Sequence, residues 1–338
     1  MNTPKSRFEN IINKKDVDRP AAICPGGMMN MVTYELMKKA GVFLPEAHKD
    51  ARQMADLAKQ VYKEKCFENI GVPFCMTVEA EEMGADVDMG SDVVEPHVIK
   101  YVINSVDEWE NLKEIDLSSG RSKVVLDAIK ILKEEVDDVP IVGNLTGPIS
   151  TASSLMEPVV FYKELRKKKD EAHKFLEFTT NQILKFALAQ VDAGADIIAI
   201  SDPSGTGEIL GPKFFKEFAV KYINMIVDKL KENGVPTIVH ICGQMHNVYA
   251  EVNCINSDVL SFDSIVPISE AKDNLKDRII MGNISTYALE FSEPNKIKSL
   301  TKVCLKNGAD IISPACGLGM KTPLLNIQEI IKTLEEEK

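Results

Sequence analysis

At 338 residues, with 44% hydrophobic and 27% charged residues, the chain has the composition of a globular protein with a full-sized core, which excludes extended disorder. A formal net charge of −11 argues against nucleic acid, because phosphates are bound by basic stripes and the lysine run at 167–169 is too short to form one. No stretch approaches the roughly 18 apolar residues of a membrane span, and the polar N-terminus lacks a signal peptide's apolar core. A cytoplasmic protein with no nucleic-acid or membrane partner is therefore expected.

Along the chain, a helical entry segment is followed by short runs rich in β-branched residues. These predict eight strands, at 21–24, 69–75, 140–144, 196–201, 237–241, 259–262, 279–282 and 310–313. Between them lie segments with helical period at 46–65, 121–135, 158–193, 212–233, 245–252 and 294–307. Several of these begin at Pro and stop near Asn-Gly or Ala-Gly, as helix ends do. Strands alternating with helices predict the α/β class, here a (β/α)8 TIM barrel forming one domain over 1–338. Residues 79–114 interrupt the spacing with a strand-like run at 93–102 and the only tryptophan, Trp109, and read as an insertion over the barrel.

In such a barrel, side chains just beyond the carboxyl ends of the strands converge on one mouth. The candidates there are Cys24, Asn144, Asp202, His240, Cys242, Asp263, Asn283 and Cys316. His240 and Cys242 lie two apart at a strand end, where alternation turns both toward one space. Cys316 follows the eighth strand in a Gly-containing loop that topology brings to the same mouth. One imidazole and two thiolates suit Zn2+, and three protein ligands leave a fourth position open for substrate. Asp263 is either a resting fourth ligand or a turn cap, and Asp202 orients substrate, supports a ligating histidine or forms a turn. Asn144 and Asn283 are read as cofactor-binding residues, as is Met28, whose cluster with Met29 and Met31 would offer an adaptable apolar surface.

Seven cysteines spread from Cys24 to Cys316 give no disulfide framework. Cys66, Cys254 and Cys304 read as small hydrophobes, and Cys24 and Cys75, without a charged partner nearby in sequence, as packing residues. Gly205-Thr206-Gly207 completes neither a phosphate loop nor a dinucleotide fingerprint, so ATP and NAD are not indicated.

The Val239-His240-Ile241-Cys242-Gly243 and Pro314-Ala315-Cys316-Gly317 strand ends, with the Asp18-Arg19-Pro20 entry, resemble the uroporphyrinogen decarboxylase superfamily, most closely its methylcobamide:coenzyme M methyltransferase branch. The resemblance implies that His240, Cys242 and Cys316 hold zinc, with Asp263 where an acidic resting ligand falls. It also implies that the activated thiol of coenzyme M takes a methyl group from a methylated corrinoid. An Asp-x-His-x-x-Gly cobalamin signature is missing because Ile238 stands before Val239-His240, so the corrinoid is expected on a separate partner protein. The decarboxylase branch is the rival. Its Arg-Gln-Ala-Gly-Arg type loop is replaced here by Cys24-Pro-Gly-Gly-Met28, and six arginines are few for a substrate with eight carboxylates. A tetrahydrofolate or homocysteine acceptor, or a non-catalytic corrinoid- or metal-binding barrel, are the other readings.

Overall fold

The computed structural model describes residues 2–26 and 30–337. Its strands in chain order are β1 (Ala21–Ala22), β2 (Ile70–Val72), β3 (Asp86–Asp88), β4 (His97–Lys100), β5 (Ile141–Thr146), β6 (Ile197–Ser201), β7 (Thr237–Ile241), β8 (Val259–Phe262), β9 (Ile279–Met281) and β10 (Ile311–Ile312). All eight predicted strands are present, several of them shorter than the apolar run that marked them. They form one parallel sheet in the order β1-β10-β9-β8-β7-β6-β5-β2. Every residue of these eight strands is buried, which is why they read as continuous Ile/Val runs rather than alternating ones.

The sheet curls into a barrel by joining its two end strands without a regular ladder. The Glu68 amide donates to the Ala22 carbonyl at 2.7 Å. The Asn69 side chain then stands in for a backbone, accepting from the Cys24 amide at 2.9 Å and donating to the Cys24 carbonyl at 2.7 Å. The approach is so close that a Cβ on Gly71 would lie 1.9 Å from the Pro25 carbonyl oxygen. Below this seam the Glu68 carboxylate is held by the buried Arg7 and Arg19 guanidiniums, and Arg7 also pairs with Asp18. The entry helix Pro4–Ile12 is thereby fastened across the amino ends of the strands, where Lys5 reaches Asp196 at 2.7 Å.

The helices depart from prediction where local backbone breaks them. The predicted 158–193 helix divides at Lys168 (φ −128°, ψ 55°) into Pro158–Lys167 and Lys169–Ala193. The 212–233 segment begins earlier, at Gly207, is interrupted at Gly211 (φ 69°), and runs through a π-helical turn, Phe215–Val220, into Lys221–Glu232. The 46–65 helix starts properly at Ala51, where Asp50 caps the Gln53 amide, and the 245–252 helix shrinks to Tyr249–Val252. His246, expected on that helix, precedes it. Helices Tyr34–Ala40, Pro148–Leu155 and Leu324–Glu336 were not predicted.

Within 79–114, β3 and β4 pair as an antiparallel hairpin, so only four residues of the 93–102 run are strand. Trp109 packs on Phe178 of the long helix at 5.7 Å between ring centroids. The amides of Val102 and Ile103 both donate to the Leu155 carbonyl, which ties this segment to the helix that follows β5. Among the described residues no helix is long and apolar enough to cross a membrane.

Candidate metal centre

β7 delivers His240 to the barrel mouth, and Cys242 follows it one residue past the strand, while the intervening Ile241 is fully buried in packing. Cys316 arrives on the loop after β10, pinned there by the Ala315 amide donating to the Ile284 carbonyl at 2.8 Å. A nitrogen of His240 and the sulfurs of Cys242 and Cys316 all lie within 4.8 Å of one another. The imidazole is buried and both cysteines are half-buried, so the cluster opens toward the mouth.

The ring is oriented by its strand neighbour. Sheet register sets His240 opposite Ser261 of β8, and Nδ1 lies 3.0 Å from the Ser261 hydroxyl. Nε2 is left facing Cys242 Sγ at 3.3 Å. An Nδ1–H donated to Ser261 would leave the Nε2 lone pair free for a metal, which is how ligating histidines are commonly set. A hydrogen bond from Cys242 to Cys316, helped by the nearby imidazole, holds the Cys316 thiol well below its ordinary value and raises that of Cys242. The donor set fits zinc in kind and number, with one coordination position left over.

The other predicted site residues take different places. Asp202 is fully buried at the end of β6, but its carboxylate caps the Pro148–Leu155 helix, accepting from the Ser150 amide and hydroxyl at 2.7 Å and the Ile149 amide at 3.2 Å. Burial raises its pKa to about 6 against these donors. Its backbone amide donates to the His240 carbonyl, whereas the imidazole's side-chain partner is Ser261. Asp263 Oδ1 accepts from the Ser264 hydroxyl and the Ile265 amide, both at 3.2 Å, and its carboxylate is outside the 4.8 Å group while close enough to act on Cys242. Asn283 spends its amide on the Asp263 and Val266 carbonyls, each at 2.7 Å, holding the loop after β8. Asn144 donates to the Pro25 and Val72 carbonyls, while its buried Oδ1 has no partner among the described residues. Met28 lies outside the described residues.

A second polar cluster at this face was not foreseen. Cys75, just past β2, is not a packing residue: Arg121 Nη1 lies 3.2 Å from its sulfur and Nη2 donates to Thr77 Oγ1 at 2.7 Å. Burial would raise the Cys75 thiol, but Arg121 and the neighbouring His48 outweigh it and bring it down to about 5. Glu79 is buried beside them, its Oε1 accepting from the Thr146 amide at 2.8 Å and its Oε2 lying 2.9 Å from the Thr146 hydroxyl, and burial lifts it to about 7. Glu95, from the turn between β3 and β4, is near enough to Cys75 and Cys316 to feel both sulfurs. No short spacing in the sequence announces this group, because Arg121 comes from 46 residues away.

An eight-stranded parallel barrel that gathers an imidazole and two thiols at the carboxyl ends of its strands has the layout of the barrel enzymes, whose sites occupy that face. The chain belongs to the uroporphyrinogen decarboxylase (URO-D) family, whose model matches residues 3–337. It is 34% identical to the methylcobamide:CoM methyltransferase MtbA of Methanosarcina acetivorans, over 99% of this chain and 98% of that one. It is 33% identical to the methylcobamide:CoM methyltransferase MtaA of Methanosarcina barkeri with the same coverage. The solved structure of a methyltransferase from Methanosarcina mazei superimposes with a TM-score of 0.92 at 30% identity, covering 100% of this chain and 99% of that one.

Proposed function

We propose that this protein is a zinc-dependent methyltransferase that moves a methyl group from a methylated corrinoid, carried by a partner protein, to the thiol of coenzyme M. The observation that carries the reading is the convergence of His240, Cys242 and Cys316 from two separate strand ends to within 4.8 Å. Full-length similarity to methylcobamide:CoM methyltransferases supports the choice of donor and acceptor.

In this reading His240 Nε2, Cys242 and Cys316 hold the ion, Ser261 fixes the ring, and Asp263 stands nearby as a candidate resting ligand. When bound, zinc supplies Lewis acidity that lowers the pKa of the acceptor thiol near neutral pH. The acceptor sulfur then forms a bond to the methyl carbon as the carbon–cobalt bond breaks, and cobalt keeps the electron pair. Asp202 acts at one remove, through the helix it caps, and Asn283 through the loop it holds. We read 1–338 as one domain with 79–114 over its mouth, working in the cytoplasm.

The test is metal content of the purified protein together with demethylation of free methylcobalamin by coenzyme M, with homocysteine and tetrahydrofolate alongside. About one zinc per chain and a coenzyme M-dependent rate are expected. Cys242→Ala and Cys316→Ala should lose both, while Cys66→Ala and Cys304→Ala keep both. Equal loss in all four would sink the site, and zinc with activity only toward another acceptor would change the substrate.

A further inference from the structure

Beside the mouth, the helices Pro158–Lys167 and Gly207–Phe214 enclose a cleft of about 400 Å³. Its floor is apolar, made by Leu165, Leu210 and Phe214, with Ile209 46% exposed at the rim. Its walls carry Lys163, Arg166 and Lys167, and no acidic residue lines it. Arg166 lies over the Phe214 ring at 5.4 Å.

In a chain with 51 acidic and 40 basic residues, a cleft with only cationic walls is an exception. Of the acids close by, Glu208 turns toward Gly243 and three others are engaged. Glu157 caps the Val160 amide, Glu164 accepts from the Val106 amide and pairs with Lys168, and Glu217 pairs with Lys169. Among the described residues Lys163, Arg166 and Lys167 make no ion pair, so their charge is available to something outside the chain.

The cleft is also tied to the metal centre. Tyr162, in its wall, donates to the Ser204 carbonyl on the loop after β6 at 2.9 Å. The helix forming its floor carries Glu208, one residue before Ile209, whose carboxylate lies where a Cβ on Gly243 would meet it at 2.7 Å, next to Cys242. The cleft's wall and floor are thus joined to the loops at the rim of the site through Tyr162 and Glu208.

We infer that this cleft docks the protein that carries the methylated corrinoid, through an acidic surface on that partner bearing apolar side chains. The inference rests on the methyltransferase reading. A bulky protein-borne donor must hold its methyl carbon within bonding reach of the mouth, which demands a fixed orientation. A net charge of −11 would repel an acidic partner at long range, and a local unpaired cationic cleft turns the correct face inward while leaving wrong orientations repelled.

The test compares the wild type with Lys163→Glu/Lys167→Glu, Ile209→Ser, and the charge-matched Lys14→Glu/Lys15→Glu at the far end of the barrel. Binding of the unmethylated corrinoid protein from the source organism is measured by interferometry, and transfer from free methylcobalamin separately. The cleft variants should weaken binding by about tenfold or more and keep the free-methylcobalamin rate, and the lysine reversals, but not Ile209→Ser, should also flatten the salt dependence of binding. The far-end pair should bind as the wild type does. Unchanged binding in the cleft variants, equal loss in the far-end pair, or cleft-dependent self-association without corrinoid-protein binding would overturn the proposal. Loss of wild-type transfer from free methylcobalamin would instead count against the methyltransferase reading, with the binding data still deciding the docking.

Discussion

At the scale of single residues, the site depends on which nitrogen of one histidine is left free. By accepting an Nδ1–H, Ser261 would leave Nε2 for the metal, so Ser261→Ala should keep the fold but lower zinc affinity by about 10- to 100-fold, as read by competition with a chromophoric chelator. The cluster across the mouth supplies a second prediction. With Glu79 protonated, its hydroxyl can donate to Thr146 Oγ1, whose own hydrogen then goes to the Met76 carbonyl 3.1 Å away. The folded carboxyl titrates at about 7, against about 4.5 when unfolded, so between those values the native state binds more protons than the unfolded state. Its contribution to stability therefore falls as pH rises through this window, by roughly 3 kcal/mol at most, and is flat above it. Glu79→Gln, which keeps both contacts, should gain on the wild type between pH 5 and pH 8 in urea unfolding. A constant difference would refute the assignment. Of these residues, the sequence made His240, Cys242 and Cys316 legible because ligand chemistry and strand-end position coincide. Ser261, His48 and Arg121 were not legible, since sheet register and a crossing helix, not spacing along the chain, bring them to their partners.

At the scale of elements, the strands were readable because burial on both faces leaves uninterrupted Ile/Val runs such as Ile197–Ser201. Helix limits were less so. Lys168, an ordinary helix former, sits at a break that its own side chain does not demand and that its ties to Asp107 and Glu164 accompany. Pro148–Leu155, rich in Ser and Thr, is helical where Asp202, from another strand, caps its first turn. The β1–β2 seam had no sequence signal except Gly71. Because a Cβ there meets a backbone oxygen, which cannot rotate aside, Gly71→Ala should cost at least about 2 kcal/mol in urea unfolding or prevent folding. A change below 0.5 kcal/mol, within the usual range of surface substitutions, would mean the strands can separate freely.

At the scale of the whole molecule, acidic and basic residues are divided by task. Buried arginines fasten the base through Glu68, a cysteine–arginine pair stands at the same face as His240, Cys242 and Cys316, and lysines without an ion pair among the described residues flank the cleft beside the mouth. The irregular seam bears on the molecule as a whole as well. β5 and β6 share five register pairs, whereas among the described residues β1 and β2 are joined by one backbone bond, the Ala22 amide on the Glu68 carboxylate and the Asn69 side chain. The barrel therefore resembles a cuff closed by a short clasp, and its easiest breathing motion is to part there. Deuterium should enter the Glu68 and Cys24 amides well before those of β5 to β7, and uniform protection around the ring would show the clasp to be as strong as the ladders. Since Asn144 bridges Pro25 and Val72 beside this line, each opening would widen the aperture on the side opposite β7, while β7, which carries His240, keeps its ladders to β6 and β8.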